Sequence, residues 1–183
     1  MRWNRYLVPG TLLPGRATAL HLDTLALMSD YEFAAIEPPE VGPLRQALLH
    51  PEQPLDAMMS LSDTHHAARH IGAFKDGVLV AIATIHPQPM PGGTPHGAWR
   101  MRDVAVEHGH RGKGLGALLV ERLLEHASDN QGTVAWATVR QTAAGFFERC
   151  GFQKIDAPFV DPQEGSQYLM HTPIRPLHKS WEL

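Results

Sequence analysis

Apolar and polar positions alternate most regularly between residues 98 and 128. There the run "AWRMRDVAV" predicts a strand. After a glycine-rich loop, Leu115, Leu118, Leu119, Leu123 and Ala127 recur at helical spacing. They predict a helix from about Gly114 to Ser128 with one buried face. Upstream, "YEFAAIEP" reads as a strand, and "PEVGPLRQALLHP" reads as a helix with Leu44, Leu48 and Leu49 on one side, stopped by Pro51. The segment from Glu52 to Arg69 is polar and irregular. His70 to Phe74 and Val78 to His86 are two strands about Lys75-Asp76-Gly77, an antiparallel hairpin in which Gly77 takes positive φ. Proline and glycine make Pro87 to Gly97 a loop. Downstream, "TVAWATV" is a strand, "TAAGFFERC" a short helix ended by Gly151, and "FQKI" and "QYLMHTP" are two more strands. Residues 1–30 form an N-terminal extension whose "ATALHLDTLALMSD" fits a helix or a disordered lead-in equally, and residues 31–183 form the domain. The order is that of a mixed α/β chain without internal repeats.

With 183 residues, 43% of them apolar, the chain can bury one core, so one compact domain is expected. The net charge is −3 and there is no long Lys/Arg run, which argues against a nucleic-acid track, although 12 histidines add cationic charge below neutral pH. A single cysteine, Cys150, excludes a disulfide framework and any multi-Cys metal site, and suits a reducing cytoplasm. No apolar stretch approaches the ~18 residues that span a membrane, and the apolar segment of "MRWNRYLVPGTLLPG" is too short and broken for a signal peptide. The expectation is a soluble, cytoplasmic chain with neither nucleic-acid nor membrane partners.

The loop "EHGHRGKGLG" changes this picture. Opening a helix, it presents backbone N–H groups together with the positive end of the helix dipole, an anion site. Arg111 and Lys113 interleave with Gly112, Gly114 and Gly116, the arrangement expected for a diphosphate. The loop does not match G-x-x-x-x-G-K-[ST], because Gly114 follows Lys113. It does not match G-x-G-x-x-G either, because its glycines run G-x-G-x-G.

The run Val106 to Gly116 resembles the acetyl-CoA loop of the GNAT acyltransferases, [Q/R]-x-x-G-x-[G/A], with Arg111, Gly114 and Gly116 at its core. His108 stands where a proline is common. "AAGFFERCGF", Ala143 to Phe152, resembles the family's second segment, F-Y-x-x-x-G-F, and the likeness extends over about residues 31–170, including "LRQALLHPEQPLD". The resemblance implies a single mixed, mostly antiparallel sheet, splayed between two strands and flanked by helices. It also implies acetyl-CoA as cosubstrate. Its pantetheine arm would lie along Val104, Ala105 and Val106, and its diphosphate on the N–H groups of Arg111, Gly112, Lys113, Gly114, Leu115, Gly116 and Ala117. A primary amine would attack the thioester directly in a ternary complex, and a homodimer is compatible with the fold.

Such transfer needs an oxyanion donor, which the resemblance puts at a backbone N–H near Val104, a proton acceptor and an acid for the leaving thiolate. The family's usual acid, a tyrosine, is replaced here by Phe147, a ring that packs against the cofactor but has no proton to give. Either the thiolate leaves unassisted or another group substitutes. Tyr168 on "QYLMH" is the candidate acid, set against a packing role at a sheet edge. Glu107 and Asp103, on one face by strand alternation, are candidate bases acting through water. Arg100 occupies the place where some histone-acetylating relatives carry a glutamate. With Arg102 it either attracts an acidic substrate or is solvated. His65, His66, His70, His108 and His110 include H-x₃-H spacing but no HExxH pattern, and they are read as structural or solvated, with no metal expected. Cys150 reads as a small apolar residue. Two alternatives remain open: an acetyl-CoA sensor without turnover, motivated by Phe147, and a histidine metal-binding module, which leaves the glycine loop unexplained.

Overall fold

The computed structural model describes residues 30–93 and 96–175, so the expected N-terminal extension lies outside the described residues, save Asp30. Eight strands form one sheet: β1 (Glu32–Ala35), β2 (Arg69–Lys75), β3 (Val78–Pro87), β4 (Ala98–Val106), β5 (Val134–Arg140), β6 (Gln153–Lys154), β7 (Phe159–Asp161) and β8 (Gly165–Pro173). Their order is β1-β2-β3-β4-β5-β8-β6, with β7 also paired to β8. All pairings are antiparallel except β4 with β5. The helices are α1 (Pro38–Leu49), α2 (Leu115–Asp129) and α3 (Ala144–Arg149).

Local chemistry accounts for the element ends. A reciprocal capping box between Glu37 and Glu40 starts α1, where Pro38 and Pro39 have no N–H to leave unpaired. The β2–β3 hairpin turns through Asp76 and Gly77, both with positive φ (51° and 80°), the geometry of a two-residue primed turn. One face of the sheet packs on α2 and α3. Leu115, Leu119, Leu123 and Ala127 join Ile85, Met101, Ala135, Phe147 and Phe152 in the main core. Leu118, expected on this face, is only partly buried, and Val120 takes the buried place instead. The other face packs on α1 through Val41 and Leu44 against Ile82 and Ala105.

Three features depart from the sequence reading. The segment read as irregular contains two 3₁₀ turns, Leu55–Met58 and Leu61–Thr64. Strand β7 is unforeseen. The third departure is a bulge in β4. Its register against β3 shifts between Ile82, opposite Ala105, and Thr84, opposite Arg102. At the bulge Asp103 takes φ 58°. The faces of the strand exchange there: Trp99 and Met101 belong to the α2 side, but beyond the bulge Val104 and Val106 do, and Ala105 packs with α1.

Candidate active site

Parallel pairing of β4 with β5 is confined to Ala98–Val134, Trp99–Ala135 and Arg100–Trp136. Beyond Arg100 the strands part. Glu107 N–H donates to the Val80 carbonyl at 2.9 Å, so antiparallel alternation turns the N–H and C=O of Val106 away from β3 and into the gap. Arg111 Nε donates to that carbonyl at 2.9 Å, which leaves the Val106 N–H facing the splay. The gap opens into a cleft of about 540 Å³, walled by α1 through Leu48 and Leu49, by Val104 to Val106, by the glycine loop and by Phe146 and Phe147.

The loop needs its glycines for distinct reasons. Gly112 (φ 75°) and Gly114 (φ 87°) are left-handed, a conformation that costs other residues roughly 1–2 kcal/mol. Gly114 is the N-cap of α2 and has no side-chain acceptor, and the first helical bond runs from Leu118 N–H to Gly114 C=O at 3.1 Å. The N–H groups of Leu115, Gly116 and Ala117 therefore have no acceptor within the helix. Gly116 has ordinary φ, but a Cβ there would meet Phe146 Cζ at 3.1 Å and Cε2 at 3.3 Å, across the cleft. Tyr31, buried at the head of β1, fixes the loop from below. Its hydroxyl lies 2.9 Å from His110 Nδ1 and accepts from Lys113 Nζ at 3.2 Å. No local pattern announces this contact, because Tyr31 lies 79 residues from His110.

On the α1 face a buried ionic network clamps the bulge. Arg45 Nη1 donates to Asp63 Oδ2 at 3.0 Å, and its Nη2 lies 2.9 Å from Asp103 Oδ2. Arg102 bonds the other Asp63 oxygen and reaches Ser60 Oγ at 2.7 Å. The Asp63 side chain is 0% exposed. Its burial opposes ionisation, but the Arg45 hydrogen bond, the Arg102 charge and the Ser60 N–H outweigh burial and hold the carboxyl well below the usual range. Arg45 and Asp63 escape a sequence reading because each looks like an ordinary surface charge, one on a helix and one in an irregular segment.

The Acetyltransferase (GNAT) family matches residues 28–152, more than two thirds of the chain. The chain belongs to the GNAT family. An uncharacterized N-acetyltransferase of Bacillus subtilis (strain 168), YitI, is 26% identical over 132 residues, 72% of this chain and 89% of that protein. A putative N-acetyltransferase from Lactobacillus plantarum superposes with TM-score 0.64 at 19% identity, covering 79% of this chain and 99% of its own. An aminoglycoside 6'-N-acetyltransferase complexed with coenzyme A gives 0.62 at 13% identity, covering 80% and 98%. The GNAT assignment makes the protein an N-acetyltransferase.

Among the anticipated site residues of this GNAT domain, the structure brings Val104 to Val106, Arg111, Gly112, Gly114 to Ala117 and Phe147 to one cleft. Lys113 turns its ammonium toward Tyr31. Phe147 is buried edge-on against Phe146 and Phe152. Tyr168 is not brought there. It pairs with Val139 on the far strand and lies under Lys154, whose Nζ is 4.4 Å from the ring centroid. Asp103 is held by Arg45 and, at 3.5 Å, by Arg102 Nε. Glu107 directly follows β4, at the start of the short 3₁₀ turn His108–His110, and like Asp103 does not line the cleft. His70 is buried, with Nδ1 2.9 Å from Thr84 Oγ1 and Nε2 3.2 Å from the Asp63 carbonyl. His65 and His66 stack on each other. Cys150 is partly buried, and burial pushes its thiol up.

Burial lowers the pKa of His70, His86 and His126, partly offset by their hydrogen bonds to Asp63, Gln88 and Ala67. Folded, these imidazoles resist a proton that the unfolded chain accepts below about pH 6.5. The unfolded state then binds more protons, so their contribution is complete above that pH and declines as the pH falls. The melting temperature should drop between pH 7 and pH 5, and His70→Gln should flatten the slope. An equally steep profile in that variant would remove His70 from the account.

Proposed function

We propose that this enzyme transfers the acetyl group of acetyl-CoA to a primary amine by direct attack in a ternary complex. The observation that carries this reading is the splay of β4 from β5 leading into an uncapped, glycine-lined helix start. The Val106 N–H, and Val104 beside it, are placed to bind an extended amide arm as an added strand would. The N–H groups from Gly112 to Ala117, with Arg111 and Lys113 beside them, suit a diphosphate. The coenzyme A complex of the structural relative supports the same ligand here. Acetyl-CoA, when bound, supplies an activated acyl thioester.

The chain's own groups then divide the remaining work. A backbone N–H beside the bulge, near Val104, serves the forming oxyanion. Glu107 takes the ammonium proton through water, because the Asp103 carboxylate is already committed to two guanidiniums. Phe147 supplies no proton, and Tyr168 sits on β8 beyond β5 with Lys154 over its ring, so in this reading the thiolate leaves without a protein acid.

Thermal shift with acetyl-CoA, followed by free-thiol release over an amine panel, tests the proposal. A melting temperature unmoved by millimolar acetyl-CoA sinks it. A shift without thiol release for any amine favours a CoA sensor, the reading that Phe147 supports. Phe147→Tyr should leave acetyl-CoA affinity nearly unchanged. It should raise single-turnover rate by ~10²-fold or more if the new hydroxyl acts as a general acid, while Tyr168→Phe changes it little. A tenfold loss in Tyr168→Phe would restore that tyrosine as the acid.

A further inference from the structure

Arg100 stands at the fork of the sheet, since with Trp136 it forms the last paired position before β4 and β5 separate. Its guanidinium carbon lies 5.0 Å from the centroid of the Trp136 ring. Its Nη2 reaches Thr138 Oγ1 only at 3.5 Å. Its Nε is buried and has no hydrogen-bond partner. His86, directly across the β3–β4 ladder, also has a buried ring nitrogen, Nδ1, without one.

Charge counting gives the same imbalance. Asp63 and Asp103 are engaged by Arg45 and Arg102, so three guanidiniums on this side of β4 face two carboxylates among the described residues. Burial disfavours protonation of His86 and His70, and neither imidazole can act as a counter-ion. Arg100 itself is disfavoured as a cation by burial and by Arg102, with Asp103 only partly offsetting them. A half-buried guanidinium without a counter-ion is costly, and an incoming carboxylate removes that cost with charge-assisted hydrogen bonds. The Trp136 ring offers a cation–π contact but no hydrogen-bond acceptor, so the guanidinium N–H groups remain to be met by one. A polycationic amine meets the same surplus charge as repulsion.

Resting on the acetyl-transfer reading, we propose that the acceptor amine also carries a carboxylate, as amino acids and short peptides do, and that Arg100 at the sheet fork binds it. The test compares glycine, β-alanine and glycylglycine with their C-terminal amides and with a polyamine, reading kcat/KM. The acids should exceed the amides by roughly tenfold or more, the scale of a hydrogen bond to a charged group. Arg100→Gln should bring that ratio near one, and Arg100→Lys should recover part of it. Amides or polyamine turned over as well as the acids would overturn the inference and leave acetyl transfer standing. Should no amine react, acetyl transfer itself fails, and the anion site is decided by calorimetry with N-acetylglycine against N-acetylglycinamide in the presence of CoA. Binding of the acid alone, lost in Arg100→Gln, sustains the site, whereas equal binding or none overturns it.

Discussion

Asp63→Ala should destabilise the protein by about 3–5 kcal/mol, the usual cost of removing one partner from a buried ion pair. The carboxylate is fully enclosed, and Arg45 is only 4% exposed in its side chain. Without Asp63 the Arg45 guanidinium keeps Asp103 and the Met58 carbonyl, while Arg102 is left with Ser60 and the more distant Asp103. The substitution leaves positive charge inside the fold without its main counter-ion. It also cuts the tie between α1, the Leu61–Thr64 turn and the β4 bulge. Urea denaturation gives the magnitude, and a loss below about 1 kcal/mol would show that the clamp is not holding the bulge. The pH dependence has a defined sign. Asp63 ionises in the fold well below the ~4 of an unfolded carboxyl, so its contribution is complete above about pH 4 and is lost as pH falls below it. Asp63→Ala should therefore flatten the acid limb of the stability profile.

How much of this is legible in the sequence depends on the range of the interactions that decide each element. The β2–β3 hairpin is legible because Asp76 and Gly77 fix their turn within two residues. Helix α2 is legible because its buried face repeats at helical spacing. The cleft is legible only through resemblance: Arg111, Gly114 and Gly116 at family spacing place the loop, and Phe147 follows from the second segment. The bulge is not legible. Period-two alternation assigns Trp99, Met101, Asp103 and Ala105 to one face, and only the register against Ile82 and Thr84 shows the faces exchanging. The clamp depends on that exchange, because it turns the consecutive residues Arg102 and Asp103 toward Arg45 and Asp63 together. The placement of Tyr168 is hidden for a related reason: its strand is foreseen, but that it sits beyond β5 and does not line the cleft follows only from the sheet order.

Gly116→Val should abolish stabilisation by acetyl-CoA. In the wild type, ligand at 100 times its dissociation constant adds about 2.7 kcal/mol, a rise of roughly 5–10 °C for a chain of this size. A hundredfold weaker site at the same concentration retains only about 0.4 kcal/mol, too little to move the melting curve clearly. The loss is expected because position 116 is tight and faces the cleft. Even a single Cβ meets Phe146 at 3.1 Å and Val106 at 3.7 Å, and both residues line the cleft, so a branched side chain would take up space within it. The unliganded protein should survive the change, since Gly116 has helical geometry, in which valine is no worse than glycine, and Phe146 is only partly buried. Two companion variants separate the causes. Gly112 is left-handed, with open space around its absent Cβ, so Gly112→Ala should cost stability through backbone strain while sparing most of the ligand's effect. Adding Phe146→Ala to Gly116→Val relieves the contact with α3 but leaves bulk beside the helix N–H groups. If binding returns in that double variant, the clash with Phe146 explains the loss. If it does not, position 116 is closed to bulk by the ligand itself, as a diphosphate seated on the Leu115–Ala117 N–H groups requires.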